Sequence, residues 1–194
     1  MQKEGTLILV VGLPGSGKGT LISYAKKHFP SIVFPISWTT RPKRPGEREG
    51  EVYHFVAEEE FSRAVSAGEF LEWVSIDGGH RYGTLRREIL LPLSEGKTLL
   101  REVEVAGAKK LRALLPEVDI VYIFIDGGPW EDLSKRMLER APMSEEELEE
   151  RHKRYERELS FKSEAKYVIE NVYGKLGEVE QEFSDIISRI ERES

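Results

Sequence analysis

Residues 10–20 read VVGLPGSGKGT, and the order of residue types in this stretch decides the fold. Immediately before the glycines, Leu7, Ile8, Leu9, Val10 and Val11 form an unbroken apolar run, the composition of a strand buried on both faces of a parallel sheet. Gly12, Gly15 and Gly17 then permit a tight backbone wrap, and Lys18–His28 reads as a helix. Strand, glycine loop and helix are the context that G-x-x-x-x-G-K needs in order to act as a phosphate loop. Its backbone N–H groups, with the helix N-terminus behind them, form a site for polyphosphate. The candidate residues are Gly12, Pro14, Gly15, Ser16, Gly17, Lys18, Gly19 and Thr20.

Gly19 departs from the usual G-K-[ST], in which a hydroxyl touches a magnesium ion. The first hydroxyl here comes one residue later, at Thr20. G-K-G-T resembles the loop of adenylate kinases and other nucleoside monophosphate kinases, which leaves the phosphate acceptor open.

The chain of 194 residues is long enough for one domain, and its 39% hydrophobic content is ordinary for a soluble protein. No apolar run has the length needed to span a bilayer, and the N-terminal residues do not read as a signal peptide; a cytoplasmic location is expected. Cysteine is absent, which excludes disulfides, thiol catalysis and cysteine metal sites. His28, His54, His80 and His152 are scattered without ligand spacing. A net charge of −6 argues against a general nucleic-acid binder. Charged residues make up 33% of the chain while Asn171 is its only asparagine, a bias that fits adaptation to high temperature.

Strand-like runs alternate with helical segments, which predicts an α/β fold: a three-layer sandwich around a parallel central sheet. Further strands are expected at Ile32–Ile36, Thr98–Val105, Ile120–Ile125 and Tyr167–Ile169. Helices are expected at Glu58–Ala67, Arg86–Glu95, Ala106–Leu115, Trp130–Arg140, Ser144–Leu159 and Gly177–Arg192. Val179, Phe183, Ile186, Ile187 and Ile190 form a core-facing stripe on the last. Two stretches break the alternation. Residues 37–82, with short strands expected at Val52–Val56 and Phe70–Ser75, read as an insertion lobe. Residues 141–159 read as a lid, with Ser144 and Glu147 forming a capping box and Met143 and Leu148 spaced for a hydrophobic staple. The remaining segments, 1–36, 83–140 and 160–194, form the core of a single domain.

Within the lobe, residues 37–53 read SWTTRPKRPGEREGEVY and cluster Arg41, Lys43, Arg44 and Arg48 in an acidic chain. A charge run by itself can be a solvated face. Here Pro42 and Pro45 stiffen the backbone between the arginines and reduce the entropy lost in holding them. Two guanidinium forks with the Tyr53 hydroxyl suit a phosphate monoester dianion. Downstream, Glu72 stands among Phe70, Leu71 and Trp73 in GEFLEWVSIDGGHRYGT. Alone it reads as a solvated strand carboxylate.

Taken together, the phosphate loop, S-x-T-T-R-P-x-R-x-G-E-x-x-G-x-x-Y-x-F, G-E-F-L-E-W and Y-G-T resemble the guanylate kinase family along nearly the whole chain. The resemblance implies transfer of the γ-phosphoryl of ATP to GMP, or dGMP, with Mg²⁺. It implies that Arg41, Arg44, Tyr53 and Tyr82 hold the GMP phosphate, that Ser37, Glu72 and Thr84 read the guanine, and that Arg136, Arg140 and Arg151 close over the ATP phosphates, with Lys18 and Asn171 on the ATP side. Guanine offers two adjacent donors, N–H and NH₂, which one carboxylate accepts together. A buried polar group left unpaired costs about 1–3 kcal/mol, so a single glutamate can carry much of the discrimination against adenine.

Three departures from the family stand out. Its L-D-I-D is Arg101–Glu104 here, REVE, which makes both acids glutamates and leaves Glu102 as a candidate base or metal ligand. The loop after Ile125 is DGGP rather than a Pro-Pro pair, and IDGGHRY carries an extra residue before Tyr82. Magnesium is expected to be held by ATP phosphates and water, with Thr20 and Glu102 the candidate protein ligands. Two competing readings remain. Scaffold domains of this fold bind phosphopeptides but have a degraded phosphate loop. Another small-molecule kinase would lack the Arg41, Arg44, Tyr53 and Glu72 set.

Overall fold

The computed structural model describes residues 5–44, 46–51, 53–76, 79–140, 142–171 and 173–193; the side chains of Ile76 and Arg140 lie outside that description. Strand β1 (Thr6–Gly12) leads into helix α1 (Lys18–His28). There follow β2 (Ser37–Thr39), β3 (Tyr53–Phe55), α2 (Glu58–Ser66), β4 (Phe70–Ile76), β5 (His80–Leu85), α3 (Arg86–Ser94), β6 (Leu99–Glu102), α4 (Val105–Leu114) and β7 (Asp119–Asp126). Helices α5 (Trp130–Arg140) and α6 (Glu145–Leu159) precede β8 (Tyr167–Glu170) and the C-terminal α7 (Leu176–Glu193).

The first sheet is parallel, in the order β6-β1-β7-β8, with Val10 of β1 opposite both Glu102 of β6 and Ile123 of β7. Alternate residues of β1 serve opposite cores. Ile8 and Val10 pack with Leu21, Ala25, Phe183 and Ile187 of α1 and α7, while Leu7, Leu9 and Val11 pack with Ile89, Leu111 and Leu133 of α3, α4 and α5. Helices on both faces make the three layers, and burial on both faces explains why β1 has no polar alternation. Every residue of the α7 stripe is buried.

The second sheet has the order β3-β2-β5-β4, with β2 parallel to β3 and antiparallel to β5. Its own small core is Phe61, Ala64, Phe70 and Leu85, with the Phe61 and Phe70 rings stacked at 4.4 Å. At the start of α6, Ser144 Oγ accepts from Glu147 N at 3.2 Å while Ser144 N donates to Glu147 Oε2 at 3.0 Å, a closed capping box. Such a cap contributes about 0.5–2 kcal/mol.

The strand expected at Ile32–Ile36 is reduced to one bridge, Val33 opposite Leu99. Val33 borders β6 at the sheet edge, and Pro35, which has no N–H to donate, prevents the ladder from extending. The strand expected at Thr98–Val105 stops at Glu102, because Glu104 already serves as the N-cap residue of α4. Val52, from the strand expected at Val52–Val56, lies outside the described residues, as do Pro45, Asp77, Gly78 and Ala141.

Candidate active site

The loop after β1 folds around its own lysine. Gly17, at φ 89°, sits in the left-handed region as the N-cap residue of α1, and a Cβ there would lie 2.4 Å from Asn171 Nδ2. That approach is used: Asn171 Nδ2 donates to Ser16 O at 2.7 Å, and Asn171 N donates to Asp126 O at 2.7 Å, which ties the loop to the ends of β7 and β8. Lys18 is buried. Its Nζ donates to Gly12 O at 2.6 Å and Leu13 O at 2.9 Å, with Glu102 Oε1 3.9 Å away. Burial pushes its pKa below the ordinary lysine value, against the opposing pull of Glu102. Ser16 Oγ is buried without a hydrogen-bond partner among the described residues. Thr20 and Gly19 are exposed.

Beside this loop lies a cavity of about 590 Å³, lined among others by Gly127, Pro129, Arg136, Asn171 and Tyr173. Arg136 Nη1 donates to Asn171 O at 3.4 Å and its guanidinium stands 5.8 Å from the Tyr173 ring. Arg151 on α6 reaches Met137 Sδ at 3.8 Å, and Met137 borders Gly15. Two of the three expected lid arginines therefore stand around the loop; the side chain of Arg140 is outside the description.

On the second sheet, Arg41 is buried against Tyr53 and Phe55, with ring distances of 5.7 and 5.5 Å. Glu47, quoted in the motif but given no role from sequence, holds its fork: Nη1 donates to Oε2 at 3.0 Å and Nη2 to Oε1 at 2.8 Å. Glu47 Oε2 also accepts from Arg44 N at 2.7 Å. The Arg41 hydrogen bonds hold the Glu47 carboxyl below its ordinary pKa. The Tyr53 and Tyr82 rings meet at 5.6 Å, on the same face as Arg41. Four groups expected at one phosphate thus lie in one lobe, with the exposed Arg44 side chain at its rim.

Glu72, Thr84 and Ser37 also meet. Thr84 Oγ1 donates to Glu72 Oε1 at 2.8 Å, and Ser37 Oγ lies 3.5 Å from Thr84 Oγ1. Into this group comes a residue that sequence reasoning passed over. Arg101 Nη1 donates to Thr84 Oγ1, Nη2 donates to Ser37 Oγ at 3.3 Å, and Nη2 stands 3.7 Å from Glu72 Oε1. Glu102, the neighbouring acid, faces Lys18. Glu104 pairs with Arg154 Nη1 of α6 at 2.9 Å.

Arg154 Nε in turn donates to Glu158 Oε1 at 2.8 Å. Glu158 is buried, its Oε2 has no partner among the described residues, and burial pushes its carboxyl above the ordinary range. This link between α6 and α4 has no separate sequence signal, since i,i+4 charge pairs on a helix normally read as solvated.

A guanylate kinase family model matches residues 4–189. The chain belongs to the guanylate kinase family. It is 41% identical over 168 residues to the guanylate kinase of Synechococcus sp. (strain JA-3-3Ab), covering 87% of this chain and 76% of that one. To the guanylate kinase of Thermotoga maritima it is 36% identical over 168 residues, covering 87% of this chain and 80% of the relative. The crystal structure of guanylate kinase from Anaplasma phagocytophilum superimposes with a TM-score of 0.70 at 28% identity, over 97% of this chain and 87% of that one. As a guanylate kinase the chain is a nucleoside monophosphate kinase, an ATP:GMP phosphotransferase. Among the described residues no helix is long and apolar enough to cross a membrane.

Proposed function

We propose that the protein transfers the γ-phosphoryl of ATP to GMP, and to dGMP, giving ADP with GDP or dGDP in purine nucleotide metabolism in the cytoplasm, without nucleic acid or membrane as partner. The donor phosphates take the Gly12–Thr20 loop and the nucleoside takes the cavity beside Asn171 and Arg136. Residues 37–82 act as the GMP lobe and 141–159 as the lid, on a core of 1–36, 83–140 and 160–194. The observation that carries the reading is the Ser37, Glu72 and Thr84 group. It sets a carboxylate and two hydroxyls in the same chain as a complete phosphate loop.

In this reading Arg41, Arg44, Tyr53 and Tyr82 fix the acceptor phosphate, so that its oxygen attacks in line. Lys18 exchanges its loop carbonyls for the β- and γ-phosphates. Arg136, Arg140 and Arg151 close over the phosphates and offset the charge on the moving group. None of these steps needs a strong base. No group of three acidic or histidine residues that could hold a metal exists among the described residues. Mg²⁺ keeps several waters in such sites and binds chiefly through nucleotide phosphates. Thr20 and Glu102 would complete its shell, and when bound it would neutralise charge between the two nucleotides.

A screen of GMP, dGMP, AMP, CMP and UMP with ATP and Mg²⁺ tests the proposal. GDP formation with kcat/KM at least a hundredfold above that for AMP is expected. Binding of phosphopeptide without turnover would overturn it in favour of a scaffold domain.

A further inference from the structure

Arg101 occupies a position that the family's L-D-I-D pattern fills with leucine, yet it is 9% exposed and faces Glu72, itself 9% exposed. A buried guanidinium is costly unless its donors are used, and those seen here go to the three residues assigned to the base: Thr84, Ser37 and Glu72. The hydrogens of that group can be counted. A threonine hydroxyl has one, and Thr84 gives it to Glu72 Oε1 while accepting from Arg101. Thr84 therefore has no donor left for a base.

From this we infer that Arg101 is a second base-reading residue, whose guanidinium donates to the 6-oxo group of the acceptor purine. The inference rests on the reading of GMP as acceptor. Guanine presents donor, donor, acceptor along its edge: the 2-amino group, N1–H and O6. The Glu72 carboxylate beside the Arg101 guanidinium presents acceptor, acceptor, donor. Adenine would set its 6-amino donor against the guanidinium donors and offer Glu72 no N1–H. Five N–H groups on a rigid planar fork let Arg101 hold Thr84 and Ser37 while still facing a carbonyl. A leucine at this position could do neither, and recognition of the 6-oxo group would fall to the hydroxyls.

The test compares kcat/KM for GMP, IMP and 6-thio-GMP in the wild type, Arg101→Leu and Arg101→Met. IMP keeps O6 and N1–H but lacks the 2-amino group; 6-thio-GMP keeps both donors and replaces the oxygen with a weaker acceptor. Both variants remove every donor, and methionine fills the space with a flexible chain should leucine fail to fold. In either variant GMP and IMP efficiency should fall together by at least tenfold while 6-thio-GMP falls threefold or less, so the preference for oxygen over sulfur narrows. A merely structural role would lower all three equally, and that result overturns the inference. A rise in GMP efficiency overturns it too, since it would make Arg101 a competitor for Glu72. A wild type that phosphorylates another nucleotide and not GMP overturns the acceptor reading itself; a wild type active on GMP with an unmoved ratio in the variants overturns only the role of Arg101.

Discussion

Arg41 and Glu47 are joined by two parallel hydrogen bonds, 3.0 and 2.8 Å, in a lobe proposed to bind a phosphate dianion. The carboxylate holds the guanidinium in one plane, and its Oε2 also fixes the Arg44 backbone. Glu47 is therefore a positioning residue. Glu47→Ala should raise KM for GMP severalfold with kcat little changed, and Arg41→Ala should raise it further while preserving the preference for GMP over AMP. Steady-state kinetics on both nucleotides checks this. A switch in base preference in either variant would contradict the division of labour.

The same pair predicts a pH dependence. The Glu47 carboxyl has its pKa lowered in the folded state, chiefly by the Arg41 hydrogen bonds. Its contribution to stability is therefore complete above the ordinary value of 4.5 and is lost as pH falls through the lowered folded value. Thermal melts from pH 6 down to 3 should show the wild type losing Tm more steeply than Glu47→Gln. Parallel curves would mean the ion pair is too solvated to matter.

Lys18 is held by carbonyls of the loop it is proposed to serve, and burial pushes its pKa down. The buried cation is thus kept at a cost that bound phosphate would relieve. Lys18→Met should leave the Tm of the nucleotide-free protein unchanged or higher while cutting kcat by at least a hundredfold, the scale of a preorganised charge. A variant that melted much lower would make Lys18 a structural residue of the loop.

The parts of the fold carried by local sequence were legible, and the parts carried by partners were not. The β1 run, the glycine loop and the Ser144–Glu147 cap are defined by residues within one or two turns of each other. Strands β2 and β5 carry no such local signal, because Ser37–Thr39 and His80–Leu85 have no clean polar alternation; antiparallel pairing of Trp38 with Gly83 holds them in the sheet. Gly83 marks a close approach, since a Cβ there would lie 2.7 Å from the Phe70 ring. Arg101 escaped for the same reason. An arginine in a strand reads as an edge or exposed residue until the fold brings Glu72 and Thr84 opposite it.

Gly17 and Gly19 should respond oppositely to alanine. Gly17 has φ 89° and no room for a Cβ beside Asn171, so Gly17→Ala strains the backbone and breaks the Asn171–Ser16 tie. Gly19 lies within α1 with nothing within 4 Å of a Cβ, and alanine in a helix is favoured over glycine by about 0.5–1 kcal/mol. Differential scanning calorimetry should show Gly17→Ala melting below the wild type and Gly19→Ala at or above it. A lower Tm for Gly19→Ala would mean that its conformational freedom is needed in the loop.

Glu72→Gln tests base reading most directly. The substitution keeps size and can retain the bond from Thr84, but it replaces one acceptor with a donor and leaves Arg101 facing a neutral group. In open water either base would be solvated and a carboxylate would discriminate poorly. In a pocket where Glu72 and Arg101 are each about one-tenth exposed, a guanine donor that meets another donor stays unpaired and costly. The new amide N–H would suit the N1 acceptor of adenine. GMP efficiency should therefore drop at least tenfold, about 1.4 kcal/mol, while activity on AMP holds or rises. The variant should also melt lower, because breaking a buried ion pair by removing one partner's charge is destabilising. That is why the ratio of kcat/KM for the two nucleotides, rather than either value alone, is the decisive quantity. If GMP and AMP efficiencies fell equally, Glu72 would be supporting the lobe, and Arg101 with Ser37 would have to read the base without it.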